Sequence, residues 1–214
     1  LPKLDFELPW DSAMTQQFAD LWNSLSESKQ QDFLEHIDAR YDGEVRYADE
    51  QVELVYKELA AQGALDDTLV IIWGDHGEQL FEHGRISHAQ SLYAEETEIA
   101  TLFIAPGLQP TEWSGKTELS DIMPTILHLL DIEVPADLIG TRIGQRPPDL
   151  PMFAYLSRPG SMLISMAKGN YRLFYQWETG TKELYDVASD PKETTNIYDS
   201  KADVVKEMWK HLDP

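Results

Sequence analysis

The most informative segment of the sequence is Leu69-Val70-Ile71-Ile72-Trp73, followed at once by Gly74-Asp75-His76-Gly77-Glu78. Its first five residues are apolar, and no polar residue alternates with them. Such a run indicates a strand that is buried on both faces, as in a parallel sheet covered by helices. Ile99–Ala105 is a second run of this kind, and Pro106-Gly107 closes it. The sequence therefore predicts an α/β fold with a parallel-rich sheet flanked by helices.

Helices are predicted on both sides of this sheet. Between residues 41 and 63, apolar residues recur at three-four spacing, which predicts an amphipathic helix and the crossover of a right-handed βαβ unit. These apolar residues are Tyr41, Val45, Ala48, Val52, Val55 and Leu59. Gly63 is the predicted C-terminal stop of this helix. Residues 119–130 predict a second helix, whose first turn tolerates Pro124. An earlier helix is predicted from Asp11 or Ser12 towards Leu25.

The sequence changes character at Pro147. Residues 147–160 are rich in proline and are typical of a linker. Beyond them we predict a small antiparallel sheet and a final helix, with strands at 162–167, 171–177 and 182–187 and the helix at about 200–211. The chain is therefore divided into residues 1–146, an α/β domain, and residues 147–214, a small α+β domain.

Composition excludes several classes of protein. The chain has 214 residues and no cysteine, which excludes a disulfide scaffold, a cysteine nucleophile within the chain and cysteine-based zinc sites. It has 17 Lys and Arg against 38 Asp and Glu, a net charge of −21. A field of that sign repels phosphate backbones, so no nucleic acid is expected as a partner. No apolar run approaches the length of a membrane span.

The segment after the first strand is predicted to carry the chemistry. In open α/β sheets, ligands bind at the carboxyl ends of the strands, and Asp75 and His76 stand there side by side between glycines. A carboxylate and an imidazole form half of a divalent cation site. His83 and His88 follow in a segment without helical or strand periodicity. The residues alone leave two interpretations, a metal or anion site and an ordinary turn.

A series of motifs resembles the C-terminal half of the sulfatase family, which belongs to the alkaline-phosphatase-like superfamily. The likeness covers about residues 41–197, and its motifs occur in the family's order: Tyr41–Val45, Asp67–Glu78, His83-Gly84, Ser91–Glu96, Leu102–Gly107, Ser120–Leu127, Glu183–Asp186 and Asp190–Asn196. The resemblance implies the C-terminal part of an alkaline-phosphatase-like fold. It also implies a metal-dependent hydrolase of sulfate esters.

The resemblance implies roles for individual residues. Asp75 and His76 would be the later two protein ligands of a single divalent cation. Ca²⁺ is the family's commonest occupant, and an oxygen-rich site with one imidazole also admits Mg²⁺ or Mn²⁺. His88 falls where many members have a lysine that binds sulfuryl or phosphoryl oxygens. His83 would line the pocket.

Two parts of the family's site have no counterpart in the 214 residues. They contain no Cys/Ser/Thr-x-Pro-x-Arg signature, which carries the nucleophile, and the two early aspartate ligands are also missing. We therefore expect a C-terminal fragment that is inactive by itself and whose partner is the missing N-terminal half. We also expect an uncovered sheet edge and apolar surface, which that half or a homo-oligomer would cover.

Other functions remain open at this point. The alternatives within the superfamily are hydrolysis of phosphate or phosphonate esters and transfer of phosphoglycerol or phosphoethanolamine groups. A non-catalytic binding domain is the alternative of another class. The expected substrate is a small molecule or glycan that carries a sulfate or phosphate ester. The habit of the family implies a periplasmic or secreted location, and a cytoplasmic location is the alternative.

Overall fold

The computed structural model describes residues 20–212, whose contacts divide them into two units. Within that part of the chain, the first unit comprises the residues up to Gly74 together with 78–88 and 99–109. The second comprises 75–77, 89–98 and the residues from Pro110 onwards. Most of the helix predicted from Asp11 lies outside the described residues, and residues 20–24 are helical. The predicted domain boundary at residue 147 stays a prediction.

The longest described helix of the first unit, α1, spans Glu27–Ala61. It starts well before the predicted helix, because Phe33 and Ile37 extend the apolar spacing upstream. These two are its buried residues, and they pack against the side chains of Trp22, Leu34, Leu80, Phe81 and Ile86. Gly63 follows the helix with a φ of 67°, the left-handed conformation that ends many helices. The predicted stop is therefore confirmed.

The apolar stripe of α1 is not covered within residues 20–212. Four of its side chains are between 38% and 63% exposed: Tyr41, Val45, Val52 and Val55. A crossover helix would pack this stripe on the sheet, and residues 20–212 do not provide that packing. None of the helices in this part of the chain is long and apolar enough to span a membrane.

Short elements follow α1 in the first unit and at its border with the second. Strand β1 spans Val70–Trp73, and a hairpin follows it, made of β2 (Gln79–Leu80) and β3 (Ile86–Ser87). Helix α2 spans Ala94–Thr97, and β4 spans Thr101–Ile104. The sequence did not predict the hairpin, because two-residue strands are too short to show a periodicity. Leu80 and Ile86 pack against α1, which anchors the hairpin.

Strands β1 and β4 pair antiparallel, so the expected parallel arrangement of these two runs is wrong. Their register joins Val70 to Ile104 and Trp73 to Thr101. An apolar run indicates burial but not direction, and here the connection returns to the same end of the pair. All strand pairs within residues 20–212 are antiparallel, and no described strand precedes α1 to make it a βαβ crossover.

The second unit contains the predicted small antiparallel sheet with its terminal helix. After helix α3 (Ile122–Leu129), four strands pair in sequence order, and helix α4 closes the unit. The strands are β5 (Met152–Arg158), β6 (Ser161–Lys168), β7 (Tyr171–Gln176) and β8 (Thr181–Asp186), and α4 spans Ala202–Trp209. Its core residues, at most 2% exposed, are Met166, Leu173, Leu184 and Met208. Strand β5 falls in the predicted linker, because its prolines bound the strand rather than interrupt it.

A buried ion pair ties the start of α3 to the segment that leads into β5. The fully buried carboxylate of Asp121 accepts hydrogen bonds from Arg146 Nη2 at 3.0 Å and Nε at 3.1 Å. It also accepts from the backbone N–H groups of Thr141 at 2.7 Å and Glu118 at 3.0 Å. Arg146 pairs with Glu118 as well, whose other carboxylate oxygen accepts from the N–H of Phe153 at 2.7 Å.

These partners determine the charge state of Asp121. Burial by itself raises the pKa of this carboxyl, but the hydrogen bonds from Arg146, Thr141 and Glu118 and the charge of Arg146 outweigh burial. The pKa of Asp121 therefore lies below its ordinary value.

We expect Asp121→Asn to lower the free energy of unfolding by about 3–5 kcal/mol, because it removes a counter-charge from buried Arg146. Urea unfolding at pH 7 measures this loss. The matched control is Glu50→Gln, which removes an exposed pair with Arg46 on α1 and should cost about 0.5 kcal/mol or less. Equal losses in the two variants would contradict the central role of the Asp121 network.

The pH dependence of this stabilisation has a defined sign. A carboxyl whose pKa is lower in the folded chain stabilises the fold above its unfolded pKa of about 3.9, and the stabilisation is lost as pH falls through the folded value. The difference in unfolding free energy between wild type and Asp121→Asn should therefore shrink below about pH 4. A difference that stays constant down to acid unfolding would argue against it.

Candidate metal and oxyanion site

The β2–β3 hairpin places Glu78 opposite His88. Its register pairs Leu80 with Ile86 and Gln79 with Ser87, so the next residues outward face each other at the open end of the hairpin. His88 Nδ1 lies 2.9 Å from Glu78 Oε2. Because a carboxylate only accepts hydrogen bonds, Nδ1 carries the proton and the orientation of the ring is fixed. The His88 side chain is 47% exposed, so a ligand can reach it from solvent.

Asp75 and His76 lie in the loop directly after β1, where the sequence predicts them. His76 Nδ1 is 2.9 Å from the carbonyl oxygen of Gly77. That oxygen only accepts, so Nδ1 carries the proton and Nε2 has the lone pair, as in metal-binding histidines. Nε2 is 3.8 Å from Asp75 Oδ1. Neighbouring ligand atoms around one cation are roughly 3–3.5 Å apart, so a small adjustment makes this pair fit a divalent cation.

Glu78 is a candidate ligand that the sequence analysis missed. Its carboxylate oxygen Oε2 lies 2.9 Å from His88 Nδ1 within the first unit. A carboxylate beside an imidazole is a pair of side chains that divalent cations bind. Glu78 stands two residues after His76 in the same loop, and that closeness was the signal available in the sequence. Its spacing alone did not distinguish it from the other acidic residues.

Asp75 and His83 are the remaining predicted site residues. The side chain of Asp75 is 86% exposed. His83 lies in the loop between β2 and β3 and is partly buried. The pocket role of His83 stays a prediction.

A close backbone contact holds the Asp75-His76 loop against helix α2. The N–H of Gly77 donates to the carbonyl oxygen of Glu96 at 2.9 Å. A Cβ on residue 77 would lie 2.0 Å from the carbonyl oxygen of Glu95. Only glycine therefore permits this approach, which explains why residue 77 of the motif is a glycine.

The side chain of Glu96 fixes the residues before α2. Its carboxylate is buried and accepts from Ser91 N–H at 2.9 Å, Ser91 Oγ at 2.8 Å and Gln90 N–H at 3.1 Å. Glu96 thus holds two segments. Its backbone carbonyl oxygen accepts from Gly77, and its carboxylate accepts from Gln90 and Ser91, which follow His88 in the chain. The predicted metal loop is therefore attached to a defined scaffold.

The chain is similar to known sulfatases over most of its length. The family model described as Sulfatase matches residues 10–132, more than half of the chain. Delta 4,5-hexuronate-2-O-sulfatase of Bacteroides thetaiotaomicron is 26% identical over 180 residues, which cover 76% of this chain and 37% of that protein. Arylsulfatase K of Xenopus laevis is 25% identical over 226 residues, which cover 95% of this chain and 42% of that protein.

A solved structure shows the same fold. A 2-O GAG sulfatase matches with a TM-score of 0.70 at 20% identity, over 99% of this chain and 52% of its own. The fold is therefore of the α/β, alkaline-phosphatase-like type. The chain spans about half or less of the length of the sulfatases that it matches. Because the family model covers more than half of its residues, the chain belongs to the sulfatase family.

Proposed function

We propose that this chain is the part of a sulfate-ester hydrolase that supplies two ligands of a divalent cation and a side chain that binds sulfate oxygens. The observation that supports the proposal is the facing pair of ligand atoms, Asp75 Oδ1 and His76 Nε2, 3.8 Å apart in the loop after β1. Membership of the sulfatase family gives this pair its chemical context.

Asp75 and His76 would hold the cation, which neutralises charge that develops on the ester oxygens and activates a coordinated nucleophile. A carboxylate is a hard ligand, and a site with one imidazole suits Ca²⁺, with Mg²⁺ and Mn²⁺ as alternatives. His76 Nδ1 lies 2.9 Å from the Gly77 carbonyl oxygen and donates to it, so Nε2 would offer its lone pair as the ligand atom. The Gly77 backbone thereby sets the ligand form of the imidazole.

His88 would bind the equatorial oxygens of the sulfate. In the imidazolium form both ring nitrogens donate, so Nδ1 bonds Glu78 while Nε2 donates to an anionic oxygen. The Glu78 carboxylate, 2.9 Å from Nδ1, fixes the ring plane and balances the positive charge. His83 would contribute to the wall of the pocket from the hairpin loop.

The nucleophile and further cation ligands would come from residues outside this chain. The support is the missing Cys/Ser/Thr-x-Pro-x-Arg signature together with the exposed surface of the first unit. In residues 20–212, β1 and β4 each have one neighbouring strand, and Trp73 and Leu102 on them are about half exposed. We propose that an N-terminal half extends this two-stranded pair into the larger, parallel-rich sheet. A homo-oligomer is the alternative cover for this surface.

The proposed substrate is a sulfated saccharide. The similar relatives act on a sulfated hexuronate and, by name, on aryl sulfates, and both present the same −O–SO₃⁻ group to the cation and His88. Phosphate or phosphonate monoesters are the alternative, because they offer the same oxygens. We place the enzyme in the periplasm or outside the cell, where polymeric sulfated glycans occur.

The function is tested with the complete polypeptide and three variants, by sulfate release from an aryl sulfate and from a sulfated disaccharide. We expect His88→Ala to lower kcat/KM about 10²–10³-fold, because it removes an oxyanion donor. Glu78→Gln should lower it about 10-fold, because it loosens that donor. His128→Ala, an exposed residue of α3, is the control and should leave kcat/KM unchanged.

Three results would overturn the function. They are an unchanged kcat/KM in His88→Ala, faster turnover of a phosphate or phosphonate monoester than of any sulfate ester, and turnover of an aryl sulfate by the 214-residue chain alone. Size-exclusion chromatography of that chain decides whether a second copy of the chain or an N-terminal half covers its exposed surface. A dimer favours the homo-oligomer, and binding to a separately expressed N-terminal half favours the completed sheet.

We expect Gly77→Ala to weaken binding of the divalent cation at least 10-fold, because its Cβ would meet the Glu95 carbonyl oxygen and displace Asp75 and His76. Calorimetric titration of Ca²⁺ and Mn²⁺ measures the affinity, with Asp75→Asn as the positive reference. The matched control is Gly43→Ala on α1, where a Cβ meets nothing within 4 Å. Equal cation affinity in the two alanine variants would show that the Gly77 contact does not position the ligands.

A further inference from the structure

Helix α2 is fastened to the small antiparallel sheet by a buried ion pair. Glu193 Oε2 accepts the N–H of Ala94, the first residue of α2, at 2.8 Å. Glu193 Oε1 lies 3.1 Å from Arg172 Nη1. The same Nη1 donates to Oγ1 of Thr97, the last residue of α2, at 3.4 Å. Arg172 belongs to β7 and Glu193 follows β8, so both ends of α2 are held from the sheet.

This ion pair is withdrawn from solvent. The side chain of Glu193 is fully buried, and that of Arg172 is 12% exposed. A buried carboxylate is tolerated only when charged or hydrogen-bonding partners surround it. The positions of Ala94 N–H, Arg172 and Glu193 are therefore coupled, and α2 cannot shift without exposing or unpairing a charge.

A second contact fixes the residue before α2. The Tyr93 hydroxyl donates to Glu183 Oε2 at 2.8 Å, and the Tyr185 hydroxyl donates to the same oxygen at 3.0 Å. The Tyr93 ring packs on Phe174, with ring centroids 5.0 Å apart. Burial and the neighbouring Tyr93 and Glu183 raise the pKa of Tyr185, so it remains a hydrogen-bond donor. The sheet thus holds the residue before α2 as well as the two ends of the helix.

The position of α2 decides where the predicted ligands stand. The N–H of Gly77 donates to the Glu96 carbonyl oxygen at 2.9 Å. A Cβ on residue 77 would lie 2.0 Å from the Glu95 carbonyl oxygen, so this approach requires glycine. By contacts, residues 75–77 belong to the unit that contains the small sheet, although they follow β1 directly in the chain. A displacement of α2 would therefore move Asp75 and His76.

We propose that Glu193 is a positioning residue of the metal site. It acts from the small sheet through Ala94, helix α2 and the Glu96–Gly77 bond, and it sets the placement of Asp75 and His76. The inference rests on the proposed function, because it requires that these two residues bind a cation. It gives the buried glutamate of the Asp190–Asn196 motif a role in the site.

The test compares Glu193→Ala and Glu193→Gln with a matched control in the complete polypeptide. Glutamine keeps an oxygen for the Ala94 N–H but loses the charge opposite Arg172, whereas alanine loses both. The control is Asp121→Asn, which also unpairs a buried arginine of the same unit but whose bonds go to Arg146, Thr141 and Glu118. The readout is the Kd for Ca²⁺ and Mn²⁺ by calorimetry, at a temperature where circular dichroism shows every variant folded.

We expect Glu193→Ala to raise the cation Kd about 10–100-fold and Glu193→Gln to raise it by less. Asp121→Asn should change it less than twofold. Wild-type affinity in Glu193→Ala, or equal weakening in Glu193→Ala and Asp121→Asn, would overturn the proposal. If Glu193→Ala does not fold, the comparison of Glu193→Gln with Asp121→Asn decides by the same criterion. A wild type that binds no divalent cation, or an Asp75→Asn variant that binds as wild type does, would instead overturn the proposed function.

Discussion

Burial of carboxylates is the constraint on which the second unit depends. Glu96, Asp121 and Glu193 are at most 6% exposed in a chain whose net charge is −21. A buried carboxylate is costly unless donors surround it, and each of these three accepts at least one backbone N–H. These backbone donors (Ser91, Thr141 and Ala94) lie in loops or at the start of a four-residue helix, which have few backbone bonds of their own. Hydrogen bonds to buried carboxylates therefore stabilise segments that the backbone hydrogen bonds of helices and strands stabilise only weakly.

This arrangement suits a site that must hold ligands in place. Cation ligands and oxyanion donors work only within about half an ångström of their productive positions, and α2 with its four residues is too short to be stable alone. The sheet of β5–β8 has a well-packed core around Met166, Leu173 and Leu184. Glu193 and Arg172 fasten α2 to that sheet. Because the Asp75-His76 loop contacts α2 through Gly77, the packed sheet restrains the loop as well. In the proposed site, the small sheet would position the ligands without supplying one.

The sequence predicted the elements whose signal is local. The β7–β8 hairpin, α4 and the stop at Gly63 follow from alternation, turn residues and a glycine, and the loop after β1 follows from the end of an apolar run. The pairing direction of β1 and β4 did not follow, because an apolar run reports burial rather than the partner's direction. The role of Glu78 depends on the register of a two-residue hairpin, and that of Glu193 on contacts with residues about a hundred positions earlier. Such long-range contacts leave no pattern in one sequence.

The apolar stripe on α1 is exposed to solvent. Tyr41, Val45, Val52 and Val55 recur at helical spacing, yet they are 38–63% exposed in the described residues. A helix that remains in solvent needs no such periodicity, since polar residues would serve equally well there. Full burial of a valine contributes about 1.5–3 kcal/mol relative to exposure, so covering the stripe would yield several times that amount. The stripe and the one-sided strands β1 and β4 are the surfaces that the proposed N-terminal half, or a second copy of the chain, would cover.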